Sequence, residues 1–127
     1  MAQQQTSATV AVVEDDASCR IALGRLLRAE GFQTELFDSA EAYMHAPHTP
    51  PPLCVIVDIR LPGISGLELQ RQLQATGTPT PVIVTTAAHE HAIRARAERN
   101  GCAAFFSKPV DTEALLATIV QLCTKGQ

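Results

Sequence analysis

No stretch of this chain approaches the roughly 20 consecutive apolar residues of a bilayer-spanning helix, so its hydrophobic residues read as core. The opening residues, Met1 to Ala8, lack both the charged n-region and the apolar h-region of a secretory leader. They read as a short disordered tail, residues 1–8, and the protein as cytoplasmic. Cysteine is present four times, at Cys19, Cys54, Cys102 and Cys123, but without CxxC spacing and always in apolar company. That argues against a metal or dithiol redox motif and for reduced thiols acting as small core hydrophobes. Neither sign of charge dominates: 10 Lys and Arg against 13 Asp and Glu give −3 at pH 7. Bulk electrostatics therefore supply no reason to bind nucleic acid or an anionic membrane. No repeat or low-complexity run marks a second unit, and 127 residues are enough for one domain with its own core. The expected boundaries are a folded domain over 9–124 and a C-terminal tail over 125–127.

What the chain does have is a steady alternation of strand and helix signals. Thr9–Val13 reads as a strand and Ala17–Glu30 as a helix, with Cys19, Leu23, Leu26 and Leu27 on one stripe and Gly31 at its end. Gln33–Phe37 is a short strand, and Ser39 is placed to cap a brief helix over Ala40–His45. The prolines between Pro47 and Pro52 forbid helix continuation. Leu53–Val57 is apolar without alternation, as in a strand covered on both faces. A helix over Ser65–Ala75 turns Leu69 and Leu73 inward and stops before Gly77; a strand follows over Val82–Thr85. Glu90–Asn100 has helical period but is polar, with Arg94, Arg96 and Arg99. Ala103–Ser107 is the fifth strand, and Asp111 caps a last helix whose stripe is read as Leu116, Ile119, Val120 and Cys123. Five βα units with short connections predict a doubly wound three-layer α/β sandwich. The flavodoxin-like strand order 2-1-3-4-5 puts the first and third strands side by side at the switch point.

Ligands of such sheets bind outside the carboxyl ends of the strands. Four apolar runs end there in chemically useful residues: Glu14-Asp15-Asp16, Asp58, Thr86 and Lys108. A carboxylate can attack phosphorus as a covalent nucleophile. Bringing a phosphoryl dianion to it needs a cation, and Mg²⁺ accepts one or two carboxylates plus phosphate oxygens while keeping waters. Glu14 and Asp15 can supply those carboxylates, Lys108 a mobile point charge, and Thr86 a hydrogen-bond donor. Asp16 instead suits the N-cap of the helix that follows. Thr85 and Thr86 compete for the hydroxyl role, and spacing to Lys108 favours Thr86.

Taken in order, Val-Val-Glu14-Asp15-Asp16, Val-Ile-Val-Asp58-Ile-Arg-Leu-Pro62-Gly-Ile-Ser-Gly66, Val-Thr-Thr86-Ala87 and Phe105-Phe-Ser-Lys108-Pro109 form a specific set. The set resembles the receiver domain of bacterial two-component response regulators, the CheY-like superfamily, from about Thr9 to Cys123. The resemblance implies that Asp58 is the phosphoacceptor and Asp15 the principal Mg²⁺ ligand, with Glu14 supporting through metal-bound water. It also implies metal coordination by Asp58 itself and by the backbone carbonyl of Arg60, and phosphoryl binding by Thr86 and Lys108. A cis peptide bond would precede Pro109, and Phe105 would be an aromatic switch responding to Thr86. The expected partner is a sensor histidine kinase or phosphotransfer protein. The domain would be no enzyme beyond assisting its own phosphorylation and dephosphorylation. It is expected to touch neither nucleic acid nor membrane directly.

Three features depart from the family pattern. Glu14 stands where Asp is commoner, Phe105 replaces a frequent Tyr, and the stretch His89-Glu90-His91 with three following arginines is unusually polar. His89 and His91 do not share a helix face, so a solvated loop is the expectation there. Other functions of the same topology fit less well. A flavodoxin-like FMN carrier needs phosphate-binding amides after the first strand, where this chain has three carboxylates. A phosphohydrolase of the Asp-x-Asp type needs an acid where Arg60 stands. A phosphate-independent pseudo-receiver is opposed by the complete residue set. The stretches Ser39-Ala-Glu-Ala-Tyr43 and Ile64-Ser-Gly-Leu-Glu-Leu69 resemble receivers joined to DNA-binding output domains. The expectation is a receiver controlling a transcriptional output domain absent from this chain, dimerising through the fourth helix and fifth strand. The alternative is a stand-alone receiver acting by protein contact.

Overall fold

A computed structural model describes residues 8–75, 80–87 and 91–125. Gly77, His89 and Glu90 lie outside these residues, as does the 1–8 tail apart from Ala8. The elements alternate throughout: β1 (Thr9–Val13), α1 (Ala17–Ala29), β2 (Gln33–Phe37), α2 (Ala40–His45) and β3 (Cys54–Asp58) are followed by α3 (Gly66–Ala75), β4 (Val82–Thr86), α4 (His91–Arg99), β5 (Ala104–Ser107) and α5 (Thr112–Lys125). All strand pairs are parallel and the sheet order is β2-β1-β3-β4-β5, as expected. β3 and β4 each reach one residue further toward the carboxyl edge than the apolar runs indicate. Asp58 and Thr86 are therefore the last residues of their strands. Likewise α5 runs through Lys125, into what reads as tail.

Side chains in strands alternate between faces, and each face of the sheet carries its own core. Ala11, Val13, Val55, Val57, Val82 and Val84 pack with Tyr43, Leu69 and Ala97 from α2, α3 and α4. Val10, Val12, Cys54, Ile56 and Ile83 pack with Leu27 of α1 and Leu115 and Ile119 of α5. Burying each of the Val, Leu and Ile side chains among them is worth roughly 1.5–3 kcal/mol. Residues of β3 and β4 are buried on both faces, which explains their unbroken hydrophobicity; edge strand β2 is half in water. All four cysteines are free, and burial pushes the Cys54 thiol up to about 12.

Local chemistry sets the helix ends. Asp16, Ser39, Ser65 and Asp111 each accept a hydrogen bond from an amide in the first turn of α1, α2, α3 and α5, at 3.0–3.2 Å. Gly31, at φ 96°, closes α1 by donating its N–H to Arg28, while Phe32 N–H reaches Leu27. One stripe is corrected. In α5 the inward line is Leu115, Ile119 and Leu122, with Leu116 beside it, and Val120 is 53% exposed. The apolar residues of α5 occupy more than half its circumference, so periodicity alone left the centre of the buried face ambiguous.

Candidate functional site

Sheet alternation carries three charged residues to one place. Val10, Val12, Cys54 and Ile56 face the α1/α5 core, and Glu14 and Asp58 continue that parity past the last hydrophobic residue. Ala104 and Phe106 do the same on β5, and Lys108 follows them. At the carboxyl edge Lys108 Nζ donates to Glu14 Oε1 at 2.7 Å and to Asp58 Oδ2 at 3.1 Å. Glu14 and Asp58 are buried, at 2% and 6% exposure, while Asp15 is exposed beside them. Carboxylate oxygens of Glu14, Asp15 and Asp58 lie within 4.8 Å of one another.

Backbone groups hold these side chains. Asp16 N–H donates to Glu14 Oε2 at 3.1 Å, and Arg60 N–H donates to Asp58 Oδ1 at 3.2 Å. Asp16 itself caps α1, the role its sequence position indicated. Ile59 N–H donates to the Thr85 carbonyl, and Lys108 N–H to the Thr86 carbonyl at 2.8 Å. The Lys108–Pro109 peptide is cis, as is Thr49–Pro50. Thr86 is fully buried and pairs with Ser107. Its parity follows Val82 and Val84, so it shares the α2–α4 side of the sheet with half-buried Phe105; Thr85 follows Ile83 to the other side. The Arg94 guanidinium stands 5.3 Å from the centre of the Phe105 ring.

Burial and charge act against each other here. Burial raises the Glu14 carboxyl; the Lys108 hydrogen bond and the Asp16 amide lower it, and the Asp58 charge raises it again, leaving it above the ordinary glutamate value. Burial lowers the Lys108 ammonium, but hydrogen bonds to Glu14 and Asp58 and their charges outweigh it, so the amine stays protonated well above the lysine range. The ion pair thus favours the lysine charge while failing to offset the burial of Glu14 beside a second carboxylate. One ammonium, paired with two of three clustered carboxylates, leaves the cluster short of positive charge. Hard oxygen donors in that arrangement suit a divalent cation such as Mg²⁺.

Two residues that hold the site escaped the sequence reading. Arg20 of α1 donates from one guanidinium nitrogen to the Glu14 carbonyl at 2.8 Å and the Asp15 carbonyl at 3.3 Å, bracing the acidic turn. Its only signal was its place one helical turn after Asp16. Glu41 of α2 accepts from Ile64 N–H at 3.0 Å, across 23 residues; nothing in the sequence pointed to it. Gly66 is tied to the site by sterics, since a Cβ there would collide with the Asp58 carbonyl oxygen.

The family model for the response regulator receiver domain matches residues 10–120. The transcriptional regulatory protein FixJ of Bradyrhizobium diazoefficiens is 33% identical over 114 residues, covering 90% of this chain and 56% of that protein. FixJ of Azorhizobium caulinodans is 36% identical over 113 residues, 89% of this chain and 54% of its own length. Among solved structures, the response regulator StyR superposes with a TM-score of 0.83 at 39% identity, over 92% of this chain and 59% of that one. The chain spans about half the length of the curated relatives it matches. With the 2-1-3-4-5 sheet and an acidic cluster at its carboxyl edge, these similarities show that the chain belongs to the receiver domain family of two-component response regulators.

Proposed function

We propose that this domain is a Mg²⁺-dependent phosphoacceptor, with Asp58 as the residue that takes the phosphoryl group. The observation that carries this reading is the Lys108 ammonium bridging Glu14 and Asp58 inside a trio of carboxylates at the switch-point edge. Mg²⁺ would be held by Asp15, Asp58 and the Arg60 carbonyl, with Glu14 in support, and when bound it neutralises charge between the carboxylates and the incoming phosphate. An oxygen of Asp58 forms a bond to phosphorus. The bond from phosphorus to the donor atom breaks, and its electron pair leaves with the donor: a histidine nitrogen of a sensor kinase or phosphotransfer protein, or the acetate oxygen of acetyl phosphate. Lys108, 3.1 Å from Asp58 Oδ2, transfers a hydrogen bond to a phosphoryl oxygen. Thr86 donates to another, and Phe105, on the same side of the sheet, repacks in response. Its lack of a hydroxyl makes that repacking a matter of shape alone.

FixJ is a transcriptional regulatory protein of which the matched region covers 56%, so the phosphorylated domain is proposed to act on a transcriptional output domain. Dimerisation through α4 and β5 is the proposed consequence of phosphorylation. The net charge of −3 supports leaving DNA contact to other parts of the regulator. Among the described residues no helix is long and apolar enough to cross a membrane. The test is chemical: treat the protein with acetyl phosphate and Mg²⁺, reduce with borohydride, and map the peptides. Homoserine at position 58 is expected; its appearance at Asp15 or Asp16 instead would reject the assignment.

A further inference from the structure

The chain leaves Asp58, crosses Ile59 to Ser65 and enters α3, and this turn carries the Arg60 carbonyl. Both ends are pinned by backbone: Ile59 N–H donates to Thr85, and Gly66 N–H donates to the Ile59 carbonyl at 3.0 Å. The tip is held from outside. Ile64 N–H donates to Glu41 Oε2 at 3.0 Å, and the carboxylate lies so close over Gly63 that a Cβ there would collide with it. Gly63 has φ 75°, so this position demands glycine for backbone and contact together. The support behind Glu41 is rigid, because α2 is capped by Ser39 and buries Ala40 and Tyr43 in the core. The Ile64 amide, and then its own backbone amide, hold the Glu41 carboxyl below the usual range. An ionised acceptor makes the stronger kind of hydrogen bond. A glutamate serving only the positive end of its own helix has no need to reach residue 64.

We propose that Glu41 is a positioning residue for the metal site: it fixes the turn after β3 so that Asp58 and the Arg60 carbonyl are presented to the ion together. The assignment rests on the phosphoacceptor reading above and extends it to a residue outside the site. Partners that orient metal ligands from behind change metal affinity by roughly 10- to 100-fold when removed.

The experiment compares Glu41→Ala, Glu41→Asp and Glu41→Gln with the wild-type chain, titrating Mg²⁺ without any phosphoryl donor and following backbone amide resonances. Exchange of the Ile64 amide proton and thermal unfolding are measured on the same samples. Glu41→Ala is expected to raise the Mg²⁺ half-saturation roughly tenfold and to speed Ile64 exchange. Glu41→Asp keeps an acid at the helix start but falls a methylene short, so it should behave like alanine even if the alanine variant folds poorly. Glu41→Gln keeps an acceptor oxygen at the right reach and should stay within about twofold of wild type. Unchanged half-saturation in the alanine and aspartate variants, despite faster Ile64 exchange, would overturn the proposal. So would a glutamine variant as weak as alanine, which would assign the effect to charge. Wild-type protein that binds Mg²⁺ more tightly than the alanine variant yet takes no phosphoryl label would sink the phosphoacceptor reading and uphold Glu41. No Mg²⁺ binding by wild type would overturn both.

Discussion

Arg71 and Glu68 on α3, and Arg94 and Glu98 on α4, pair within one helical turn at 2.6 and 3.1 Å, with both partners largely in water. Lys108, Glu14 and Asp58 meet at similar distances from separations of 94 and 50 residues, with both carboxylates out of water. The exposed pairs are made of neighbours that the helix brings together anyway, and water screens them. The buried trio exists only because three strands end at one edge, and it leaves carboxylates crowded around a single ammonium. Such an arrangement costs stability and leaves hard oxygen donors that suit a divalent cation. Distance alone does not separate the two kinds of ion pair; burial and charge balance do.

The comparison breaks most visibly at the ammonium. Lys108→Met should destabilise the metal-free domain by about 2 kcal/mol, because two buried carboxylates lose their charge-assisted partner. The figure sits below that for a fully buried pair since Lys108 keeps 21% of its side chain exposed. Urea unfolding measures it, and added Mg²⁺ should recover part of the loss. Asp58→Asn removes one repelling charge while Glu14 still holds Lys108. Its melting temperature without Mg²⁺ should therefore rise, by a few degrees for a domain of this size. A fall would mean that the Asp58–Lys108 pair stabilises more than the carboxylates repel.

A pH series sharpens the same point. Folding raises the Glu14 carboxyl above its unfolded value of 4.5, so folding disfavours the charged form. Between 4.5 and the raised folded value the unfolded chain binds fewer protons, and stability falls as pH rises. Relative to Glu14→Gln, which cannot ionise, the wild type should lose stability through that window; parallel curves would contradict the raised value. The smallest effect belongs to the surface. Glu98→Ala breaks the Arg94 ion pair but leaves Arg94 over Phe105, and should move the melting temperature by less than about 2 °C with phosphoryl labelling unchanged.

Most of the architecture was legible because hydrophobic pattern and punctuation agree along the chain. β3 announces itself as a two-sided strand, and Asp16, Ser39 and Asp111 cap the helices their positions predicted. The acidic cluster was legible because strand ends of a doubly wound sheet converge. The face of α5 was not, since the apolar arc that includes Val120 is wider than its buried part. Nor were Arg20 and Glu41, whose roles depend on how a helix sits over a neighbouring turn; an arginine or glutamate in a first turn reads as solvated until that packing is known. The structure also adds what the Glu14 departure does: its longer arm reaches Lys108 directly at 2.7 Å.

The central claim is that Asp58 accepts a phosphoryl group with the help of a divalent cation. The most direct test is intact mass after incubation with acetyl phosphate, with and without Mg²⁺, on the wild type and on Asp58→Ala. A single phosphoryl adduct that requires Mg²⁺ and disappears in the variant is the predicted result. No adduct under any condition, or one that persists in Asp58→Ala, would contradict it.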